Sequence, residues 1–267
     1  MSGVLFSGCS YTKGVGLRDL DKDPAHYANK LMTTVDKFKG LPMKNIAVAG
    51  NSNQKLFYET LYELTSTGNH YDYIFVGWTS SPRYWFDFGF ELYETTRMLS
   101  PSNMTPPVKG HQIEWSKTKL EQFRNDLMLA SHPQSHIVDI IRWTNILINL
   151  AKMLNSRIFF INAMCAWDNK FFEFNPKEDI KPSDLTVYTN YLLDSDTRDD
   201  EEIRALYKKM HQQYADVGGI HPDYWLNLYE SIKTLQIDYG DNHRHPGYNS
   251  HQLYADIFSQ KLNNILN

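Results

Sequence analysis

Short apolar segments alternate with helical patterns along this chain, and this alternation restricts its fold more than any other feature. Four segments rich in apolar, aromatic and β-branched residues are predicted to be buried strands, at about 4–6, 45–49, 71–78 and 157–164. Apolar residues at helical spacing predict helices over about 24–35, 52–64, 135–154 and 249–266. This order predicts an α/β protein, a three-layer α/β/α sandwich around a mostly parallel sheet.

The whole chain, 1–267, is predicted to be one domain with two long insertions. The first covers about 80–134, after the third strand, and the second covers about 165–236, after the fourth strand. We expect these insertions to shape specificity, but loops of this length have no structure that a sequence pattern can predict.

The composition predicts a soluble protein of the cytoplasm. Of the residues, 42% are hydrophobic and 22% are charged, and the formal charge of −4 gives no electrostatic reason to expect a nucleic-acid partner. Cys9 and Cys165 are too few for a disulfide framework, and the first residues lack the features of a signal peptide. No apolar run approaches the roughly 20 residues that cross a membrane.

The sequence predicts no cofactor and no metal. Gly14 and Gly16 form the segment KGVG, but the lysine–serine ending of a phosphate-binding loop does not follow it. His243, His245 and His251 lack the spacing of a familiar zinc motif, and neither cysteine is near them in sequence.

Residues with catalytic potential follow three of the predicted strands. Ser10, Gly50 and Thr79 stand at carboxyl ends, which meet at one edge of a parallel sheet. A serine becomes a nucleophile when a base takes its proton and hydrogen-bond donors stabilise the oxyanion. We predict that Ser10 is this nucleophile, with an exposed hydroxyl, and that the N–H groups of Ser10 and Gly50 bind the oxyanion. Cys9 would then face the core.

The base is predicted to be a histidine of the segment DNHRHPGYNSH, which offers His243, His245 and His251. Pro246 suits a rigid loop before the last helix and therefore favours His245. A different register would make His243 the base. Asp241 is close enough in sequence to orient the imidazole as the third member of a triad.

Three segments of the chain resemble blocks of the SGNH (GDSL-type) hydrolase superfamily. FSGCSYTKG is similar to the block that carries the nucleophile, NIAVAGNSN to the block with the oxyanion glycine, and HPGYNSHQLYA to the last block, which a His-Pro pair opens. The resemblance implies a flavodoxin-like sandwich that acts on esters or acetylated sugars. The opening and ending also look similar to uncharacterised open reading frames of bacterial viruses.

The third block departs from the family pattern. It normally holds an asparagine in a Gly-x-Asn-Asp turn, and Thr79 stands at that position. The Thr79 hydroxyl would then complete the oxyanion hole, or Asn51, Asn53 or Arg83 would supply the missing donor.

The last block departs from the pattern as well. Its acid normally lies three residues before the histidine, where this chain has Asn242, with Asp241 one residue further away. Either the loop is one residue longer, or a backbone carbonyl orients His245 instead.

These residues predict a serine ester hydrolase that acts on a carboxylic ester or an O-acetylated carbohydrate. Asn51, Trp78 and Arg83 are the candidates for substrate binding. An O-acyltransferase would use the same acyl-enzyme. The Thr79 departure favours a different alternative, a catalytically weak or inactive relative that binds a carbohydrate or a protein.

Overall fold

A computed structural model of the chain describes residues 2–79, 133–163, 222–227, 230–241 and 245–267. The described residues form strands β1 (Val4–Ser7), β2 (Met43–Asn45), β3 (Tyr73–Trp78) and β4 (Arg157–Asn162). They also form helices α1 (Ser10–Lys13), α2 (Tyr27–Thr34), α3 (Asn53–Ser66), α4 (Pro133–Met153) and α5 (Tyr248–Leu266). All the strands and helices predicted within these ranges are present, and the short helix α1 is additional.

The described strands form a single parallel sheet in the order β2-β1-β3-β4. Trp225 adds a parallel bridge to Phe160, and the Leu226 N–H donates to the Phe160 carbonyl at 2.9 Å, so the returning chain extends the sheet beyond β4. This is the strand order of a doubly wound, flavodoxin-like sheet, in which ligands bind where the order reverses. The reversal lies here between β1 and β3. The predicted fold class is confirmed.

Helices cover both faces of the sheet. Helices α2 and α5 cover a face on which the rings of Phe6 and Phe75 stack at 4.6 Å. Helices α3 and α4 cover the other face, which includes Leu5 and Ile74. Because adjacent residues of a strand point to opposite faces, both faces of each inner strand must be apolar. That requirement explains why the strands are visible in the sequence as short apolar runs.

The second strand begins and ends earlier than the sequence predicts. It was expected over 45–49 and is observed at Met43–Asn45. At the end of the strand, Oδ1 of Asn45 accepts the N–H of Ala47 at 3.0 Å, and its Nδ2 donates to the Thr12 carbonyl at 2.9 Å. Beyond this point, Val48 still donates to the Gly8 carbonyl at 3.1 Å, so the segment remains beside β1.

Most of the two predicted insertions lies outside the described residues. Of the first, only residues 133–134 are described, at the start of α4, and of the second only 222–227 and 230–236. No helix in the described ranges is long and apolar enough to cross a membrane.

Candidate active site

Ser10 opens helix α1 directly after the end of β1. Gly8 makes this tight turn possible, since a Cβ there would lie 2.3 Å from Oγ1 of Thr12. The Ser10 carbonyl accepts the N–H of Val15 at 3.0 Å, which closes the turn. Ser10 is only 5% exposed, less than the sequence prediction of an exposed hydroxyl, because it begins a helical turn rather than standing at the tip of a loop. Cys9 lies in the core, as predicted.

The ends of β2 and β3 hold this turn from both sides. Gly77 of β3 leaves room for Thr12, whose Oγ1 would lie 2.5 Å from a Cβ at position 77. On the other side, Asn45 of β2 binds the Thr12 carbonyl. The turn that carries Ser10 is therefore fixed between the strands that flank the topological switch point.

Gly50 lies at the same edge, in a turn that only glycine adopts easily. Its φ is +80°, in the left-handed region, and the Asn51 N–H donates to the Val48 carbonyl at 3.2 Å across the turn. Asn51 is fully buried, and its Nδ2 donates to Oε2 of Glu59 at 2.7 Å. The side-chain amide of Asn51, which is a predicted substrate-binding group, therefore already donates to a partner within the protein.

Thr79 is held by Asn53, the first residue of α3. Oδ1 of Asn53 accepts the Thr79 N–H at 2.7 Å, and Nδ2 donates to the Thr79 carbonyl at 3.1 Å. Both residues are buried. The backbone N–H of Thr79 is thus engaged inside the protein.

The loop that carries His245 packs against the loop that follows Ser10. The Gly240 N–H donates to the His245 carbonyl at 2.9 Å, and the Asp241 N–H donates to the Gly16 carbonyl at 3.0 Å. A Cβ at Gly16 would lie 3.0 Å from Cβ of His245. The His245 ring is half-buried, with its centroid 5.6 Å from that of Tyr11, the residue after Ser10.

The loop contact places the His245 loop beside the turn that Ser10 begins, and Asp241, the proposed third member of the triad, is exposed. Asn242 and His243, the alternative acid position and the alternative base, lie outside the described residues, as does Arg83.

Trp78 and His251 both lie in the interior. Trp78 is 1% exposed and stacks on Phe160 in the core, with ring centroids 6.1 Å apart, and its role in substrate binding stays a prediction. It is the last residue of β3 and faces α4, where Trp143 covers it at 6.3 Å. His251 is also fully buried, and its Nδ1 accepts the Tyr27 N–H at 3.4 Å.

A buried histidine pair behind the Ser10 turn was missed by the sequence analysis. His26 and His251 lie with ring centroids 5.1 Å apart, and a Cβ at Gly14 would meet Cδ2 of His26 at 2.7 Å. Burial lowers the pKa of His26 to about 4 and that of His251 to about 3, and the nearby His26 contributes to the second shift. Both imidazoles are therefore neutral near pH 7, and they connect the Ser10 turn to α5.

Asp238 also escaped the sequence analysis, and it holds the start of α5. Its carboxylate accepts the N–H groups of Asn249 at 2.9 Å and Ser250 at 2.8 Å, and also the Ser250 hydroxyl. Burial raises the pKa of Asp238, but the hydrogen bonds from Ser250, Asn249 and Gly247 outweigh it and leave the pKa below its usual range. This carboxylate fixes the helix that follows the His245 loop.

The contact between the two loops can be tested at Gly240. A Cβ there would lie 2.0 Å from the Gly16 carbonyl oxygen, a backbone atom that cannot move alone. We expect Gly240→Ala to separate the loops and to lower kcat/KM for an ester by about a hundredfold, as misplacement by about 1 Å can. Gly68→Ala is the control, because its φ is +70° but nothing lies within 4 Å of its Cβ. Equal activity in Gly240→Ala and wild type would contradict the contact.

Within the described ranges, no group of three or more His, Cys, Asp or Glu side chains is arranged to hold a metal ion.

Comparisons with known proteins find similarity in solved structures. No family model matches the chain, and no curated protein matches it. A lipolytic protein of the G-D-S-L family from Veillonella parvula is 11% identical, with 96% of each chain covered and a TM-score of 0.38. The acetylxylan esterase Axe2 from Geobacillus stearothermophilus is 14% identical over 97% of this chain and 93% of its own, with a TM-score of 0.41. The psychrotrophic esterase EstA from Pseudoalteromonas is 9% identical over 99% and 98%, also with a TM-score of 0.41.

Proposed function

We propose that the protein is a serine ester hydrolase that works through an acyl-enzyme. The observation that carries this proposal is the packing of the His245 loop on Gly16, within the loop that Ser10 begins. A serine at the end of β1 and a histidine before α5 thereby share the edge of the sheet where the strand order reverses.

In the proposed reaction, Oγ of Ser10 attacks the ester carbonyl carbon while His245 takes the hydroxyl proton. The N–H groups of Ser10 and Gly50 and the hydroxyl of Thr79 stabilise the oxyanion of the tetrahedral intermediate. The intermediate then expels the alcohol, which receives the proton from His245. Water, activated by the same histidine, releases the acid from the acyl-enzyme. Asp241 orients the imidazole, and this alignment tightens when substrate binds, as catalytic hydrogen bonds often do.

The proposed substrate is a carboxylic ester or an O-acetylated carbohydrate. The acetylxylan esterase among the similar structures is consistent with this class. Arg83 follows β3 in sequence and remains a candidate to bind an anionic group of the substrate.

The test is the hydrolysis of p-nitrophenyl acetate by the wild type and by Ser10→Ala. Loss of the nucleophile removes the acyl-enzyme route, so we expect turnover to fall by a factor on the order of 10⁴ or more. A fluorophosphonate should label the wild type at Ser10 and leave the variant unlabelled. Equal turnover in both proteins, or an unlabelled wild type that does not turn over, would contradict the proposal.

A second candidate function is binding without efficient catalysis. It is favoured by the bond between the Thr79 N–H and Asn53, which engages this backbone donor inside the protein. A protein of this kind would bind a carbohydrate or a protein and would turn over esters no faster than Ser10→Ala. An O-acyltransferase would differ from both, because its turnover would depend on an added acceptor alcohol.

A further inference from the structure

The side chain of Asn53 holds a hydrogen-bond donor that the fold does not use. A carboxamide has one acceptor oxygen and two N–H hydrogens. In Asn53 the oxygen accepts the Thr79 N–H, and one hydrogen goes to the Thr79 carbonyl. Among the described residues the second hydrogen has no acceptor, although Asn53 is only 4% exposed. Buried donors are normally satisfied, so this one needs a partner.

We propose that this second Nδ2 hydrogen of Asn53 is a donor to the substrate oxyanion. The inference rests on the proposed esterase function and extends it by one catalytic residue.

The course of α3 brings Asn53 to the level of Ser10. The helix connects two parallel strands and therefore runs back against them, with its first residue at their carboxyl ends. Thr60 of α3 lies directly over β1, since its Oγ1 donates to Oγ of Ser7 at 2.7 Å. Asn53 lies seven residues before Thr60, which corresponds to about 10 Å along the helix axis. Ser10 follows Ser7 by three residues and begins the turn at this end of β1, so it lies at most about the same distance beyond Ser7.

The topology leads to the same placement. Asn53 follows β2 in the chain and binds the residue that follows β3. Because β1 lies between β2 and β3 in the sheet, this bond closes over the carboxyl end of β1. The turn that carries Ser10 begins there.

Two other side chains were candidates for this position beside the Thr79 hydroxyl, which keeps its role in the proposed oxyanion hole. Nδ2 of Asn51 donates to the Glu59 carboxylate. Arg83 lies outside the described residues. Asn53 combines an unused hydrogen with a fixed position.

The proposed step needs no other reactant. As Ser10 Oγ bonds to the carbonyl carbon, the π electrons move to the carbonyl oxygen, and the serine proton passes to His245. The Asn53 hydrogen bonds to this oxygen more strongly as its negative charge grows. Two existing hydrogen bonds hold the amide, so it does not need to reorganise during the reaction, which is the condition for efficient electrostatic catalysis.

The chain offers a matched control for a variant of Asn53. At the end of β4, Asn227 clamps the Asn162 backbone: Oδ1 accepts its N–H at 2.9 Å, and Nδ2 donates to its carbonyl at 2.9 Å. We expect Asn53→Ala to lower kcat for p-nitrophenyl acetate on the order of a hundredfold with KM within about threefold. Asn227→Ala should keep kcat within about threefold, because it removes only a structural clamp. Similar losses of kcat in both variants would overturn the proposal.

A second experiment uses the wild-type protein, so its result does not depend on the folding of a variant. Phenylboronic acid should add to Ser10 and place a charged oxygen at the oxyanion position, seen as inhibition and a mass adduct. One of the two Asn53 side-chain amide protons should then shift downfield in ¹⁵N-resolved spectra, while those of Asn227 stay unchanged. A bound boronate without that shift would overturn the role of Asn53 and leave the esterase intact. A wild type that neither turns over nor binds the boronate would overturn both.

Discussion

Alanine at His245 is expected to abolish ester hydrolysis and to leave the fold intact. Alanine at His251 is expected to lower the stability of the fold and to leave the hydrolysis rate per folded molecule unchanged. Removal of a catalytic base of this kind lowers kcat by a factor on the order of 10⁴ or more. His245 is half-buried at the loop contact, so its loss should change the melting temperature little. His251 is fully buried against the ring of Tyr27, with centroids 5.8 Å apart. Truncating such a ring leaves a cavity and costs about 2–5 kcal/mol of stability.

The comparison separates a proposed catalytic histidine from a buried structural one in the same segment of the chain. Hydrolysis should be measured per folded molecule, with melting curves for each variant by circular dichroism. If His245→Ala keeps more than about a tenth of the wild-type kcat, His245 is not the base, because general acid–base catalysis typically contributes 10²–10⁴-fold. His243 would then be the next residue to replace.

The largest expected effect of pH on stability comes from the His26–His251 pair. In the unfolded chain both side chains have the ordinary pKa of about 6.5. In the folded protein, burial lowers these pKa values to about 4 for His26 and about 3 for His251. Lys13 also lowers the pKa of His26, while Asp238 and Asp23 act in the opposite direction on His251 without reversing the effect of burial.

The sign of the effect follows from proton binding. Between pH 6.5 and about 4, the unfolded chain binds protons that the folded protein excludes, so the free energy of unfolding falls as the pH falls. Each histidine contributes about 1.4 kcal/mol per pH unit in this range, and the pair contributes about 3 kcal/mol per unit at most. Above pH 6.5 the stability that the neutral pair provides is fully present.

Urea unfolding at a series of pH values from 7 to 4.5 measures this slope. Carboxylates with lowered pKa values, such as Asp238 and Glu63, add a slope of the same sign near the lower end of this range, because the unfolded chain begins to protonate them there. The histidine contribution is therefore the part of the slope that a histidine variant removes. Asn at position 251 cannot be protonated, so His251→Asn should flatten the slope. His70→Asn is the control, because His70 is 46% exposed. An unfolding free energy that stays constant between pH 6.5 and 5 in the wild type would contradict a neutral buried pair.

The sequence predicts the layers of this fold better than the limits of its elements. The strands are detectable because helices cover both faces, which demands apolar residues at every inner position. The position of β2 was predicted too late because the apolar run that follows Asn45 continues beyond the strand, while still hydrogen-bonded to the segment of β1 and Gly8. Helix α1 has four residues, too few for any periodic pattern.

The sequence indicated the residues that the carboxyl ends of parallel strands bring together. It did not indicate the contacts that side chains make with distant parts of the chain. Asn53 and Thr79 are 26 residues apart, and no local pattern indicates that an amide will clamp a distant backbone. The burial of His251 did leave a signal. It lies three residues before Tyr254 and seven before Phe258, on the stripe of α5 that faces the core.

Helix α5 covers α2 and, with it, the aromatic face of the sheet. Synthesis on the ribosome makes every other described element before this helix. The strands β2, β1 and β3 can pair once residue 78 has emerged. The face beneath α2 nevertheless lacks its second helix until residue 266 has been made. We therefore expect the nascent chain to expose the aromatic face of the sheet until its last helix is made, and surface of this kind favours aggregation.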